Sequence, residues 1–316
     1  MPTKIEWADE SWNPVTGCTP VSEGCRNCYA KRMATRLRGR AGYPQDEPFR
    51  VTLHPERLDQ PLRWRKPRRI FVCSMGDLFH ERVPDLIMYD VFSVARRAVQ
   101  HTFMILTKRP ERMARQVLLP PPANVWLGVS IEDQATADER IPRLLRTPAA
   151  HRFVSYEPAL GAVDLNQAVR AGGMQFGCAG DPERRGAMHH GTGAPGCPRG
   201  LHHHHDERCS WGGMIHLVIA GGETGPHARP AHPDWFRSVR DQCVAARVPF
   251  FFKSRGEWAE EMLSDEHARI VTRSDSLHRR WAFNDSLTMV RVGRKRAGRL
   301  LDGREWNGEE EQDGQN

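Results

Sequence analysis

Short apolar runs recur along this chain, each closed at once by polar or glycine residues and each separated from the next by a segment long enough for a helix. Ile70-Phe71-Val72-Cys73 leads into Ser74 to Asp77, Phe103 to Leu106 into Thr107-Lys108-Arg109, and Val125 to Val129 into Ser130 to Asp133. Phe153-Val154 precedes Ser155 to Pro158, Leu217 to Ala220 precedes Gly221-Gly222-Glu223, and Val248 to Phe252 precedes Lys253-Ser254. Strands that read as unbroken apolar runs are buried on both faces, as in a parallel sheet whose crossovers are helices. Asp85 to Gln100, Gln134 to Arg146 and Pro233 to Ala246 are the clearest intervening helices. With a further strand expected in Ser11 to Thr16, the pattern gives about seven βα units. The expected fold is α/β, a parallel (β/α) barrel, complete or partial; a doubly wound open sheet is the alternative.

Either fold places its chemistry beyond the carboxyl ends of the strands. Ser74, Asp77, Lys108, Ser130, Glu132, Glu157, Glu223 and Lys253 then converge on one rim. The competing explanation is local, because Ser, Thr and Asp placed after a strand often cap the next helix.

Residues 1–256 are expected to form the barrel, interrupted at 172–213 by a Cys/His-rich, glycine-rich insertion. Residues 257–302 form a C-terminal extension, and 303–316, polar and acidic, read as a disordered tail. No apolar run approaches the roughly 18 residues of a membrane span, and the mean hydropathy is −0.62, so no membrane association is expected. The N-terminus lacks the apolar stretch of a secretory signal, and 8 Cys in 316 residues is far below a disulfide scaffold. A reducing cytoplasm is the expected location, where grouped cysteines serve metals or catalysis.

Cys18, Cys25 and Cys28 form such a group, spaced C-x6-C-x2-C between the first expected strand and a helical stretch. Three thiolates on one loop can hold three irons of a [4Fe-4S] cluster. The fourth iron is then open to a chelating small molecule such as S-adenosylmethionine. A zinc site with a distant fourth ligand and three unliganded thiols are the other readings. In the insertion, Cys178, Cys197 and Cys209, with His189, His190 and His202 to His205, offer a second metal site, for zinc, without a paired C-x2-C knuckle.

Several motifs together resemble one family. They are Ile5-Glu6-Trp7, Trp12 to Cys18, Gly24 to Ala30, Leu53 to Arg57 and Asp77-Leu78-Phe79-His80. Leu106 to Arg112, Gly128 to Asp133, Gly221-Gly222-Glu223, Ala228-Arg229-Pro230 and Ala297 to Gly303 continue the likeness over nearly the whole chain outside the insertion. The chain resembles the phage-associated three-cysteine-motif family of unknown function, which is related to the radical S-adenosylmethionine enzymes. Most of those enzymes space their cysteines C-x3-C-x2-C, so the first gap here is longer.

The resemblance implies a [4Fe-4S] cluster on Cys18, Cys25 and Cys28 and a 5′-deoxyadenosyl radical made from S-adenosylmethionine. It implies that Ser74 and Asp77 accept from the cofactor's ammonium group, that Ser130 and Glu132 contact its ribose, and that Gly221, Gly222 and Glu223 approach the adenosine or substrate. An electron donor and a partner protein encoded nearby are further implications. Basic stretches at Arg26 to Arg40, Arg63 to Arg69 with Trp64, and Arg291 to Arg304 with Lys295, on a chain of net charge +7, point to nucleic acid or a nucleotide as substrate. Two other readings compete with this enzyme. One is a non-catalytic, metal-stabilised nucleic-acid-binding protein; the other is a barrel hydrolase with a divalent metal, for which the chain carries no signature.

Overall fold

The computed structural model describes residues 5–171, 215–261 and 279–308. Seven parallel strands build the main sheet: β1 (Glu10–Trp12), β4 (Arg69–Val72), β5 (Thr102–Thr107), β6 (Val125–Ile131), β7 (His151–Tyr156), β8 (Leu217–Gly221) and β9 (Phe250–Ser254). Their order in the sheet is their order along the chain. A doubly wound sheet reverses that order at a switch point, so this alternative is excluded. The short strands β2 (Val15–Thr16) and β3 (Thr52–Leu53) pair antiparallel beside it.

The helices α1 (Tyr29–Arg36), α2 (Asp85–Arg97), α3 (Pro110–Gln116), α4 (Gln134–Arg146), α5 (Leu165–Ala171) and α6 (Pro233–Ala245) fall between the strands. In α4 the causes are legible. Asp133 and Thr136 close a reciprocal capping box, and Ala137, Ile141, Leu144 and Leu145 recur at helical spacing and are fully buried.

The strands bury both faces. On one, Ile70, Val72, Phe103, Ile105, Leu127, Val154 and Val218 join the large core beneath the helices. On the other, Phe71, Met104, Phe153, Ile219 and Phe251 gather around Trp7. Trp7 lies 4.6 Å from the Phe71 ring on β4 and 6.2 Å from that of Phe153 on β7. Those strands are three positions apart, about 14 Å in a flat sheet. One indole reaches both because the sheet is curled into a half-barrel, and the expected partial (β/α) barrel is the fold found.

The C-terminal extension carries a three-stranded antiparallel sheet, β10 (Trp258–Glu260), β12 (Leu287–Arg291) and β11 (Arg280–Asn284), in that order. The tail departs from expectation over residues 303–308. Asn307 bridges Phe251, the Trp306 carbonyl accepts from Phe252 N–H at 3.0 Å, and Gly308 N–H donates to Phe250 at 2.9 Å. The polar composition misled there because β9 has a free edge whose backbone groups this segment satisfies. Residues 309–316 lie outside the described residues. Among the described residues no helix is long and apolar enough to cross a membrane.

Candidate functional site

Because all seven strands are parallel, their carboxyl ends share one edge. The cysteine loop, residues 17–28, lies across that edge, and four strand ends each hold one part of it.

After β5, Arg109 holds the first cysteine. Its Nη1 donates to Cys18 Sγ at 3.5 Å, its Nη2 to Thr19 Oγ1 at 2.9 Å and to the Thr19 carbonyl at 3.0 Å, and its Nε to Glu81 at 3.0 Å. Asp77 lies 3.6 Å from the same guanidinium. It also accepts from Thr107 Oγ1 at 2.8 and 2.9 Å, from Lys108 N–H at 3.2 Å and from Phe79 N–H at 2.9 Å. Both ion-pair partners are buried, which stiffens the loop after β4 against the loop after β5.

After β6, Glu132 holds the middle. Its carboxylate accepts from Gly24 N–H at 2.9 Å and Ser22 Oγ at 2.5 Å, pairs with the Lys108 ammonium, and lies 3.4 Å from Arg140 Nη1. Burial would raise its pKa, but Lys108 and the Ser22 and Gly24 hydrogen bonds outweigh that and hold it at about 2. Arg140, on the buried side of α4, also donates to the Ser130 carbonyl at 2.8 Å. Gly24 is required by this contact: a Cβ there would fall 2.4 Å from the Glu132 carboxyl carbon.

After β8, Glu223 holds the end of the loop. It accepts from Asn27 Nδ2, between Cys25 and Cys28, at 3.0 Å and from Arg229 at 2.7, 2.8 and 2.9 Å. Burial opposes its charge, but Arg229 and Asn27 together lower its pKa. Arg229 Nη2 also reaches the Glu23 carbonyl at 3.0 Å. Gly221 lies beside Glu157, which pairs with Lys253 at 2.9 Å, and Gly222 packs on the Arg255 carbonyl. After β4, the Met75 carbonyl accepts from Gly17 N–H at 2.8 Å, the Ser74 carbonyl accepts from Tyr29 OH, and the Ser74 hydroxyl donates to Asn13 Oδ1 at 3.2 Å.

The residues expected at the rim are therefore at the rim. Ser74, Asp77, Glu132 and Glu223 all hold protein partners there, while Ser130 and the two glycines contribute chiefly backbone. Cys178, Cys197 and Cys209 lie outside the described residues. The sequence reading assigned no role to Ser22, Asn27, Tyr29, Arg140 or Arg229. Arg140 carried a signal: a cation within the apolar face of a helix implies a buried acid opposite it.

Cys18, Cys25 and Cys28 are free thiols, each partly exposed. Among the described residues no group of three or more His, Cys, Asp or Glu side chains is arranged to hold a metal ion. The donor set on the loop is three soft sulfurs with a guanidinium on one of them, which fits an iron–sulfur cluster, whose inorganic core keeps its thiolates apart. Burial, with the Asp77 carboxylate, pushes the Cys18 thiol up to about 12 against the pull of Arg109, so ligation there must displace a proton.

No curated protein matches this sequence. Among solved structures, a mutant of spore photoproduct lyase is similar with a TM-score of 0.40 and 9% identity, over 94% of this chain and 72% of that one. A family profile matches residues 2–309, and the chain belongs to the DUF5131 family, proteins of unknown function.

Proposed function

We propose that this chain is a radical S-adenosylmethionine enzyme in which Cys18, Cys25 and Cys28 hold a [4Fe-4S] cluster. When bound, the cluster supplies the electron that cleaves S-adenosylmethionine to methionine and a 5′-deoxyadenosyl radical. The observation that carries this reading is the position of the cysteine loop, laid across the carboxyl edge of a parallel half-barrel and tied to four strand ends.

The chain's own residues divide the remaining work. Arg109 sets the charge beside Cys18, Glu132 and Glu223 fix the two halves of the loop, and Lys108 keeps Glu132 ionised. Ser74, Asp77, Ser130, Glu132, Gly221, Gly222 and Glu223 frame the place for S-adenosylmethionine, with the Glu157–Lys253 pair on the same rim. An external electron donor is required, a partner protein is part of this reading, and nucleic acid or a nucleotide is the substrate class that the basic stretches favour.

The test is anaerobic purification, reconstitution with iron and sulfide, reduction, and assay for 5′-deoxyadenosine, repeated with Cys25→Ala. The wild type is expected to turn brown and release the nucleoside, and the variant to do neither. Bound zinc with no nucleoside product would instead identify a non-catalytic metal-stabilised protein.

A further inference from the structure

Between Arg26 and Gln45 the chain carries six cations and no acid. Arg32 donates to the Thr224 carbonyl at 3.2 Å and lies over Gly225. Ala30 and Ala34 bury one face of α1. Tyr29, Met33 and Arg36 follow at i, i+4 and i+7, so they form one stripe away from that face, with Arg32 beside it. Tyr29 is 46% exposed and Met33 41%, although both are apolar-bodied residues beside the main site.

Arg36, Arg38 and Arg40 are exposed and make no ion pair among the described residues. The next arginine along the chain, Arg50, is instead tied to Asp46 at 3.0 Å. A row of cations left without counter-charges is stabilised by an anion supplied from outside.

The stripe begins at the cysteine loop, since Cys28 immediately precedes α1. The Tyr29 hydroxyl is anchored on the Ser74 carbonyl, so its ring is held in one orientation at the mouth of the half-barrel. From Tyr29 to Arg36 the helix rises about 10 Å. An aromatic face followed by a file of unpaired guanidiniums is the arrangement that takes an unpaired strand, stacking a base and tracking its phosphates. A duplex keeps its bases stacked on each other and offers no face to Tyr29.

We propose that the outer face of α1 and the turn after it, Tyr29, Met33, Arg36, Arg38 and Arg40, bind single-stranded nucleic acid, with a base on Tyr29 beside the cysteine loop and phosphates along the arginines. As an account of what reaches the cysteines, this rests on the enzyme reading above; the binding itself does not require a cluster.

The test is fluorescence anisotropy of the full chain, before reconstitution, with a labelled mixed-sequence oligonucleotide as single-stranded DNA, as RNA and as duplex, over a series of salt concentrations. Either single strand is expected to bind more tightly than the duplex. Arg36→Gln/Arg38→Gln/Arg40→Gln should lower the slope of log affinity against log salt by about 2, at about 0.7 per phosphate contact. Tyr29→Ala should weaken binding about tenfold or more, and Tyr29→Phe, which keeps the ring, should restore most of it. Circular dichroism of each variant establishes that it is folded. Absence of binding by the wild type, equal or tighter binding of duplex, or an unchanged salt slope in the triple variant would overturn the proposal. A cluster that fails to assemble in a chain that still binds single strands would overturn the enzyme reading alone.

Discussion

Arg109 Nη1 donates to the sulfur of Cys18 at 3.5 Å and lies 3.6 Å from Asp77, so one buried guanidinium serves a thiol and a carboxylate together. A cation beside a cluster ligand favours the more negative, reduced state. Arg109→Met is expected to lower the midpoint potential of the reconstituted cluster, read by a redox titration followed by electron paramagnetic resonance, and Arg109→Lys to shift it less. Removing the guanidinium also leaves Asp77 buried without its ion-pair partner, at a cost of about 3–5 kcal/mol. Arg109→Met/Asp77→Asn should recover most of that stability but not the potential, which separates the two roles.

The Glu132 carboxyl titrates at about 2 in the folded chain against an ordinary value of 4.5. Between these values the unfolded chain binds more protons than the native one. The stabilisation is therefore fully present above 4.5 and is lost as pH falls through about 2. Urea unfolding measured downward from neutral pH should show this loss. Glu132→Gln, which keeps the shape but removes the charge that Lys108 and Arg140 face, should be less stable at neutral pH and show a flatter acid limb.

Two glycines allow the loops to approach. A Cβ on Gly24 would meet the Glu132 carboxyl at 2.4 Å, and one on Gly222 would meet the Arg255 carbonyl oxygen at 2.2 Å. The first obstacle is a side chain held by Lys108 and Ser22; the second is backbone. Gly222→Ala should therefore cost more than Gly24→Ala, with both in the range of about 1–3 kcal/mol. Thermal unfolding orders the two. Gly24→Ala should in addition reduce iron retention, because its displacement moves the segment between Cys18 and Cys25.

Much of the architecture was legible because its signal is local. Gln134–Arg146 is helical over the residues that periodicity assigns, and the apolar runs from Ile70 to Phe252 are the strands of the sheet, shifted by a residue or two at their ends. Parallel strands then dictate that Asp77, Lys108, Glu132 and Glu223 share a rim. What the pattern cannot carry is pairing across distance. Nothing around Asn27 announces Glu223, which follows it by 196 residues, nor does Gly24 announce Glu132. The antiparallel extension was hidden for a related reason: β11 is largely exposed, so its burial pattern lacks the apolar alternation that marks a strand.

Trp306 shows the same effect at the chain's end and gives a sharp prediction. Its ring lies 5.9 Å from that of Phe250 and 4.3 and 5.6 Å from the guanidiniums of Arg304 and Arg240, while its carbonyl takes the Phe252 N–H. The indole Nε1 is buried with no partner. Trp306→Phe removes that unsatisfied donor and keeps most of the packing, so its stability in urea should equal or exceed that of the wild type. Trp306→Ala should lose about 2 kcal/mol, because a partly buried ring forfeits less than a core one. Truncation after Asp302 goes further and bares the edge of β9, whose unpaired N–H and C=O groups can then pair with another chain. The truncated protein should elute as a concentration-dependent oligomer in size-exclusion chromatography, and Trp306→Ala, which keeps the backbone cover, should not.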